Sequence, residues 1–231
     1  MKSRSGRAAE ERVFNAVLDA IMDHRLAPGT RLGERELSEL LDASRGAVRA
    51  ALAKLGHGLL VELRPNRGAV IANPSAAETR DLFEARRVIE SAVVQRLARA
   101  VTAKQLAELR AFVAEEHKAY DRGDRKTGQR LSIRFHKLLS ELAGNAELDR
   151  VMGQLICRTP LLTLAHKGPQ LAYCGAGEHR EVIDALAKRD PALAVKRMSV
   201  HLSNLEGQLR VVEEPEPSSS LSVALSTAES R

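Results

Sequence analysis

Apolar positions at helical spacing predict three short helices in the first third of the chain, over residues 10–22, 33–41 and 45–57. Two short β-prone runs, 59–63 and 69–71, follow and are joined by the turn-forming sequence RPNRG. This order of elements predicts a helix-turn-helix that is followed by a β-hairpin wing.

From residue 78 onward the pattern is helical throughout, and about six helices over about 130 residues predict a compact bundle. The predicted helices cover residues 78–100, 104–120, 126–143, 146–165, 178–188 and 191–211. Pro160 predicts a kink or a break in the fourth of them, because proline lacks the amide hydrogen that a helix interior needs. The predicted fold is mainly α, with an N-terminal winged helix-turn-helix carrying a small β-hairpin wing and a C-terminal all-α helical bundle.

Breaks in these patterns predict the domain boundaries. Pro74 disfavours helix in the residue before it and indicates a linker, and the terminal sequence EEPEPSSSLSVALSTAESR has the composition of a disordered segment. The predicted segments are a flexible tail at 1–9, a winged helix-turn-helix domain at 10–72, a linker at 73–77, a helical domain at 78–211 and a disordered tail at 212–231.

Two arginines lie at the start of the third predicted helix. Ser44 is a good N-cap for that helix, and Asp42 tolerates the left-handed conformation of a tight turn. Arg45 and Arg49 are four residues apart and project from one face, where a recognition helix contacts base edges in the major groove. An arginine fork suits this position because it can bond guanine O6 and N7 together. A solvated basic face is the alternative for single arginines, but the ordered helix, turn, helix and hairpin favours binding of double-stranded DNA.

Further arginines lie near this helix in the predicted fold. Arg35, at the start of the preceding helix, could reach a phosphate or a nearby base. Arg64 and Arg67, on the hairpin tip, could lie along the DNA backbone or enter the minor groove.

The composition limits the class of nucleic acid and the compartment. Aromatic residues make up 3% of the chain and Trp is absent, which argues against single-strand binding on aromatic stacking platforms. The net charge of +6 permits phosphate contact without requiring it. Two isolated cysteines, no signal-peptide pattern and no apolar run of about 18 residues predict a cytoplasmic protein without a membrane span.

Three histidines lie on otherwise apolar helical stretches of the C-terminal domain: His136, His179 and His201. Neutral imidazole is a common ligand for zinc and nickel, and three histidines would leave one position for water or an effector. Their spacings of 43 and 22 residues match no local metal motif, so single surface or core histidines are the alternative.

The N-terminal segments PGTRLGERELSELL, SRGAVRAALAKL and GLLVELRPNRGAVI resemble the DNA-binding domain of the GntR family of bacterial transcription regulators. By this resemblance Arg35, Arg45 and Arg49 match DNA-contacting positions, and Gly68 matches the wing glycine. Ser44, Arg67 and Gly68 complete the DNA-binding set. Gly46-Ala47 stands where a Thr-Pro pair is common and Ala50 where Glu is common, which leaves the operator sequence open.

Residues 78 to about 210 resemble the FadR C-terminal ligand-sensing domain, FCD, on the sequences DLFEARRVIE, FH…GN..L, EHREVIDAL and MSVHL. The resemblance implies that Arg86 faces an effector cavity and holds a carboxylate, and a pair with Glu90 is the alternative for Arg86. Asn204 lies near one helical turn after His201 and could face the same pocket, with a surface position as the alternative. Ser132 completes the predicted effector-binding set. In metal-binding members an Asp precedes the first histidine by four residues, and Ser132 stands there in this chain. Either a weaker three-histidine zinc or nickel site or a metal-free polar pocket follows.

The combined prediction is a homodimer that binds a palindromic operator and responds to a small carboxylate effector. The resemblance favours a repressor, and activation stays open. Two other classes stay open as well. One is a metal-dependent hydrolase built on His136, His179 and His201, with Glu178 as the general base; the attached DNA-binding domain argues against an enzyme. The other is a non-sensing architectural DNA-binding dimer.

Overall fold

The computed structural model describes residues 4–65, 68–167 and 177–209. Within these ranges the helices are α1 (Arg4–Met22), α2 (Glu34–Leu40), α3 (Arg45–His57), α4 (Ala76–Ala100), α5 (Ala103–Asp121), α6 (Arg125–Leu142), α7 (Ala146–Ile156), α8 (Thr159–Lys167), α9 (Glu178–Ala187) and α10 (Pro191–Gly207). The strands are β1 (Arg31–Leu32), β2 (Val61–Arg64) and β3 (Gly68–Ile71). The predicted mainly α fold is therefore confirmed.

The chain divides into two compact units. Of the described residues, the first unit contains 4–65, 68–75 and 160–167, and the second contains 76–159 and 177–209. Among the described residues, no helix is long and apolar enough to cross a membrane.

In the first unit, α1 packs on α3, and α3 packs on α2 and on the sheet. The sheet is antiparallel with the order β1-β3-β2, and its register pairs Arg31 with Val70 and Arg64 with Gly68. The core is formed by the apolar stripes of these helices, and Val48 and Leu55 of α3 are fully buried. This packing fixes which face of α3 remains exposed.

The turn between α2 and α3 has the predicted chemistry. Asp42 adopts the left-handed conformation with φ 43°, and the Ser44 side chain accepts a hydrogen bond of 3.2 Å from the Ala47 amide. The helix that follows begins at Arg45 and ends at His57, as predicted. The local sequence therefore sets where α3 begins.

Two features of this unit differ from the prediction. The helix α1 begins at Arg4, so most of the tail predicted at 1–9 is helical, because the good helix formers Ala8, Ala9 and Glu10 extend the pattern toward the N-terminus. The two-residue strand β1 was not predicted, since it is defined by its pairing with β3. The tail predicted at 212–231 lies outside the described residues.

In the second unit, α10 packs along α4, α5 along α6, and α9 against both α10 and α5. One apolar cluster joins these helices, and Phe135, Val182 and Leu202 in it are fully buried. The helix predicted over 146–165 is two helices, α7 and α8, because the chain breaks just before Pro160. The arrangement places the middle of α6, the start of α9 and the second half of α10 around one common interior region.

Candidate functional site

The start of α3 presents its arginines to solvent. Ser44, Arg45 and Arg49 are exposed, and Arg45 and Arg49 stand one helical turn apart. The buried side of the same helix packs on α1 and α2, so the two guanidinium groups extend from the opposite face. This geometry suits a helix whose N-terminal residues enter a major groove.

Two exposed arginines of the helix-turn-helix, Arg35 and Arg49, have acidic neighbours on α2. Arg49 donates from Nε to Glu34 Oε2 at 2.7 Å, while 67% of the Arg49 side chain stays accessible. Arg35 Nε lies 3.7 Å from Glu39 Oε1, and the two side chains are 80% and 69% exposed. Exposed pairs of this kind are weak, about 0–1 kcal/mol, so a phosphate or a base can replace the carboxylate.

The wing is anchored at Gly68. This residue begins β3 with φ 82°, in the conformation that favours glycine, and a Cβ atom there would lie 2.2 Å from the Leu32 carbonyl oxygen. Arg64 is exposed at the end of β2 and pairs with Glu62 at 2.8 Å. Arg67 lies outside the described residues, and its DNA contact stays a prediction.

In the second unit the three predicted histidines come together. His136 lies on α6, His179 on α9 and His201 on α10, and each is at most 3% exposed. One ring nitrogen from each lies within 4.8 Å of the others, although the three residues are far apart in sequence. The rings of His136 and His201 are stacked with centroids 5.1 Å apart, and Phe135 stacks on His179 at 4.2 Å. The three side chains therefore form one buried centre.

Each histidine has a glutamate on its Nδ1 atom. Nδ1 of His136 lies 2.5 Å from Glu90, Nδ1 of His179 lies 2.8 Å from Glu116, and Nδ1 of His201 lies 2.7 Å from Glu178. Glu90 and Glu116 are buried, while the Glu178 side chain is 22% exposed. With Nδ1 occupied in this way, Nε2 is the nitrogen that each ring can offer to a ligand.

The donor set fits a borderline divalent cation. Nε2 of His136 and Nε2 of His201 are 3.2 Å apart. Two nitrogens that bind one tetrahedral zinc ion at about 2.0–2.1 Å lie about 3.3 Å apart, so this spacing suits a shared ion. Three neutral imidazoles favour zinc or nickel over hard cations such as magnesium.

Arg86 contacts the same centre through Glu90. Its Nε donates to Glu90 Oε1 at 2.8 Å and its Nη1 donates to Thr159 Oγ1 at 3.4 Å; Arg86 and Glu90 are each 1% exposed. Burial disfavours the charged carboxylate, but the charges and hydrogen bonds of Arg86 and His136 outweigh it and lower the pKa of Glu90 to about 2. Glu90 is thus a carboxylate shared between an arginine and a histidine.

The other two predicted effector residues lie beside this network. Asn204 is exposed and donates from Nδ2 to Glu178 Oε1 at 2.6 Å. Ser132 is buried on α6, four residues before His136 and therefore on the same helical face. The effector-binding roles of Arg86, Ser132 and Asn204 stay predictions.

The sequence did not indicate any of the three glutamate–histidine contacts, and it offered Glu90 only as an alternative partner of Arg86. Glu116 follows no motif, and it lies next to His117 in the chain yet bonds His179. Glu178 precedes His179 but bonds His201, and the sequence indicates it only as a candidate general base. The sequence shows only that Glu116 lies on a helix with an apolar face, and this pattern does not predict which residue the glutamate contacts.

Residues 9–71 match the bacterial regulatory proteins of the gntR family, and residues 81–204 match the FCD domain. The FCD match alone covers more than half of the chain. Together the two matches span the helix-turn-helix with its wing and the helices that carry the histidine centre.

Named relatives and solved structures agree with these matches. The HTH-type transcriptional repressor RspR of Escherichia coli (strain K12) is 27% identical over 88% of this chain and 90% of its own length. The HTH-type transcriptional repressor NanR of Salmonella schwarzengrund (strain CVM19633) is 27% identical over 84% of this chain and 82% of its own.

Among solved structures, a GntR transcriptional regulator from Rhodococcus sp. RHA1 has a TM-score of 0.75 at 27% identity, over 87% of this chain and 97% of its own. McbR/YncC of E. coli has a TM-score of 0.74 at 19% identity, over 84% of this chain and 93% of its own, which supports the fold alone.

Proposed function

The chain belongs to the GntR family of bacterial regulatory proteins and carries an FCD domain, and from this premise we propose that it is a homodimeric repressor whose operator affinity depends on a small organic acid. That it is a transcription regulator rather than an enzyme follows from the family and its named relatives. The hydrolase alternative is therefore set aside.

One observation carries the DNA-binding part of the proposal: Arg45 and Arg49 are exposed one turn apart at the capped start of α3. Two such helices, related by a two-fold axis, would contact successive major grooves of a palindrome, so the proposal requires a dimer. The two named relatives described above carry the word repressor in their names, which supports that polarity here.

Arg45→Ala and Arg49→Ala are each expected to weaken operator binding by about 1–3 kcal/mol and to relax sequence preference at one base pair per half-site. The operator is obtained by selecting bound duplexes from a random pool, and affinity is measured by fluorescence anisotropy at fixed salt. Arg99→Ala, an exposed arginine on α4, removes the same charge and should leave affinity unchanged.

A selected duplex and its scrambled version then test sequence reading itself. Equal binding of both by the wild-type protein would favour the architectural DNA-binding alternative and contradict the proposed regulator.

The effector part of the proposal rests on the polar centre inside an otherwise apolar helical domain. A guanidinium has five N–H donors and can hold a carboxylate by two parallel bonds; the contacts with Glu90 and Thr159 use Nε and Nη1 of Arg86. Binding of an acid near Arg86 and the histidines would shift the population of dimers that can bind both half-sites. A coupling free energy of about 1–3 kcal/mol between effector and operator is expected.

We also propose that His136, His179 and His201 hold zinc or nickel. When bound, such an ion supplies a Lewis-acidic position that can accept an effector carboxylate oxygen. The three imidazoles are buried and Phe135 stacks on His179, so these surroundings would limit the access of competing water to a bound ion.

His136→Ala is expected to abolish zinc or nickel retained after purification, because two histidines bind these ions far more weakly than three. Elemental analysis of the protein gives the stoichiometry directly. His57→Ala removes an exposed histidine from α3 and should leave the metal content at the wild-type value. Full stoichiometry in His136→Ala would contradict the three-histidine site.

A further inference from the structure

The histidine centre is surrounded by carboxylates that come from three different helices. Glu90 on α4, Glu116 on α5 and Glu178 on α9 each contact the Nδ1 atom of one histidine, with distances of 2.5, 2.8 and 2.7 Å. No two histidines share a glutamate in these contacts. The pairing is therefore one carboxylate for each ring.

A carboxylate on Nδ1 determines which nitrogen carries the proton. An ionised glutamate only accepts hydrogen bonds, so each Nδ1 donates and each neutral ring has its lone pair on Nε2. In this tautomer the Nε2 atoms of His136 and His201 face each other at 3.2 Å with lone pairs on both. A divalent cation between the two nitrogens would accept both lone pairs.

The carboxylates around the centre also favour a bound cation. Three glutamates contact the imidazoles through Nδ1, and Arg86 pairs with one of the three, Glu90. These carboxylates would stabilise a divalent cation at the histidines by electrostatic attraction. Ser132, the polar residue one turn before His136, supplies a neutral hydroxyl and none of this charge.

We propose that Glu90, Glu116 and Glu178 are positioning residues that together complete a metal centre whose protein ligands are three neutral histidine nitrogens. This inference rests on the metal site of the proposed function and deepens it. The negative charge that stabilises the cation comes from outside the ligand shell, through the imidazole rings, and Ser132 is not a ligand. Outer carboxylates of this kind orient the imidazole and raise its basicity.

Glu116→Gln and Glu178→Gln in the full chain test the proposal. Gln keeps the size of the side chain and a hydrogen-bond acceptor but removes the charge, so each variant should lose about 10- to 100-fold in affinity for cobalt(II) and zinc. Affinity is measured on metal-stripped protein by competition with a coloured chelator, and the cobalt(II) visible spectrum reports the coordination of the bound ion. The variants should also shift that spectrum.

Two exposed glutamates on the same helices as Glu116 and Glu178 provide matched controls. Glu115 is exposed on α5 and pairs with Lys118, and Glu181 is exposed on α9 and pairs with Arg197. Glu115→Gln and Glu181→Gln should bind cobalt(II) within twofold of the wild type. Ser132→Ala should also keep wild-type affinity and the wild-type spectrum, because the hydroxyl is not a ligand in this proposal.

Several outcomes would overturn the inference. Wild-type cobalt(II) affinity in both Glu116→Gln and Glu178→Gln would contradict the role of the glutamates. A large loss of cobalt(II) affinity in Ser132→Ala would show that Ser132 is a ligand. Absence of cobalt(II) binding by the wild type would remove the centre itself. Glu178 is partly exposed, so its variant tests the proposal even if Glu116→Gln fails to fold. Operator binding on the same preparation reports separately whether the regulator function holds.

Discussion

Replacing Gly68 with alanine is expected to destabilise the N-terminal unit by about 3–4 kcal/mol and to abolish operator binding. The residue has φ 82°, which a side chain adopts at a cost of about 1 kcal/mol or more. In addition, the new Cβ would lie 2.2 Å from the Leu32 carbonyl oxygen, and that backbone atom belongs to β1. Relief of the contact therefore requires β1 to separate from β3.

Gly29→Ala is the matched control for this prediction. Gly29 has nearly the same φ, 81°, but a Cβ there would meet nothing within 4 Å. Gly29→Ala should therefore lower the free energy of unfolding only by the conformational penalty, about 1 kcal/mol. Urea denaturation followed by circular dichroism measures both variants in the full chain. If the two variants lose the same stability, the contact with Leu32 contributes nothing and only the backbone conformation matters.

Arg86→Met is expected to cost about 3–5 kcal/mol of folding free energy, the second large effect. Arg86 and Glu90 are each 1% exposed, and the pKa of Glu90 at about 2 keeps its carboxylate charged at neutral pH. Removal of the arginine leaves that charge buried with much less compensation. Glu90→Gln in the same protein should recover part of the loss, because it removes the uncompensated charge.

Arg87→Met provides the control from the next position in the chain. Its pair with Glu206 has similar geometry, at 2.6 Å, but the two side chains are 31% and 25% exposed. Solvent screens such a pair, so Arg87→Met should lower the free energy of unfolding by less than about 1 kcal/mol. Equal losses at positions 86 and 87 would show that burial does not decide the strength of these pairs in this helix.

The same variants separate the two interpretations of Arg86. The sequence left open whether it binds a carboxylate effector or forms a pair with Glu90 along α4, and the structure places it against Glu90. A charge-removed double variant that folds but no longer responds to acids would support an additional effector-binding role. A double variant that folds and responds normally would make Arg86 structural.

Local features of the fold could be predicted from the sequence because they depend on neighbours in the chain. The start of α3 at Arg45 follows from Ser44 as its N-cap, and the turn before it follows from the tolerance of Asp42 for positive φ. The break before Pro160 has a similar local cause. The exposed arginine pair at the front of α3 follows from the spacing of four residues and from the buried stripe on the other face.

The sequence by itself thus determined the helices, the wing and the choice of three histidines as candidates, since helical periodicity, capping and turn chemistry act over a few residues. Tertiary structure alone decided which groups meet. Strand β1 exists only through its pairing with β3, and Glu116 and Glu178 bond His179 and His201 rather than the histidines beside them in the chain. Those contacts depend on how α5, α9 and α10 pack through their apolar faces, and no spacing within one helix specifies the rotation of its neighbour.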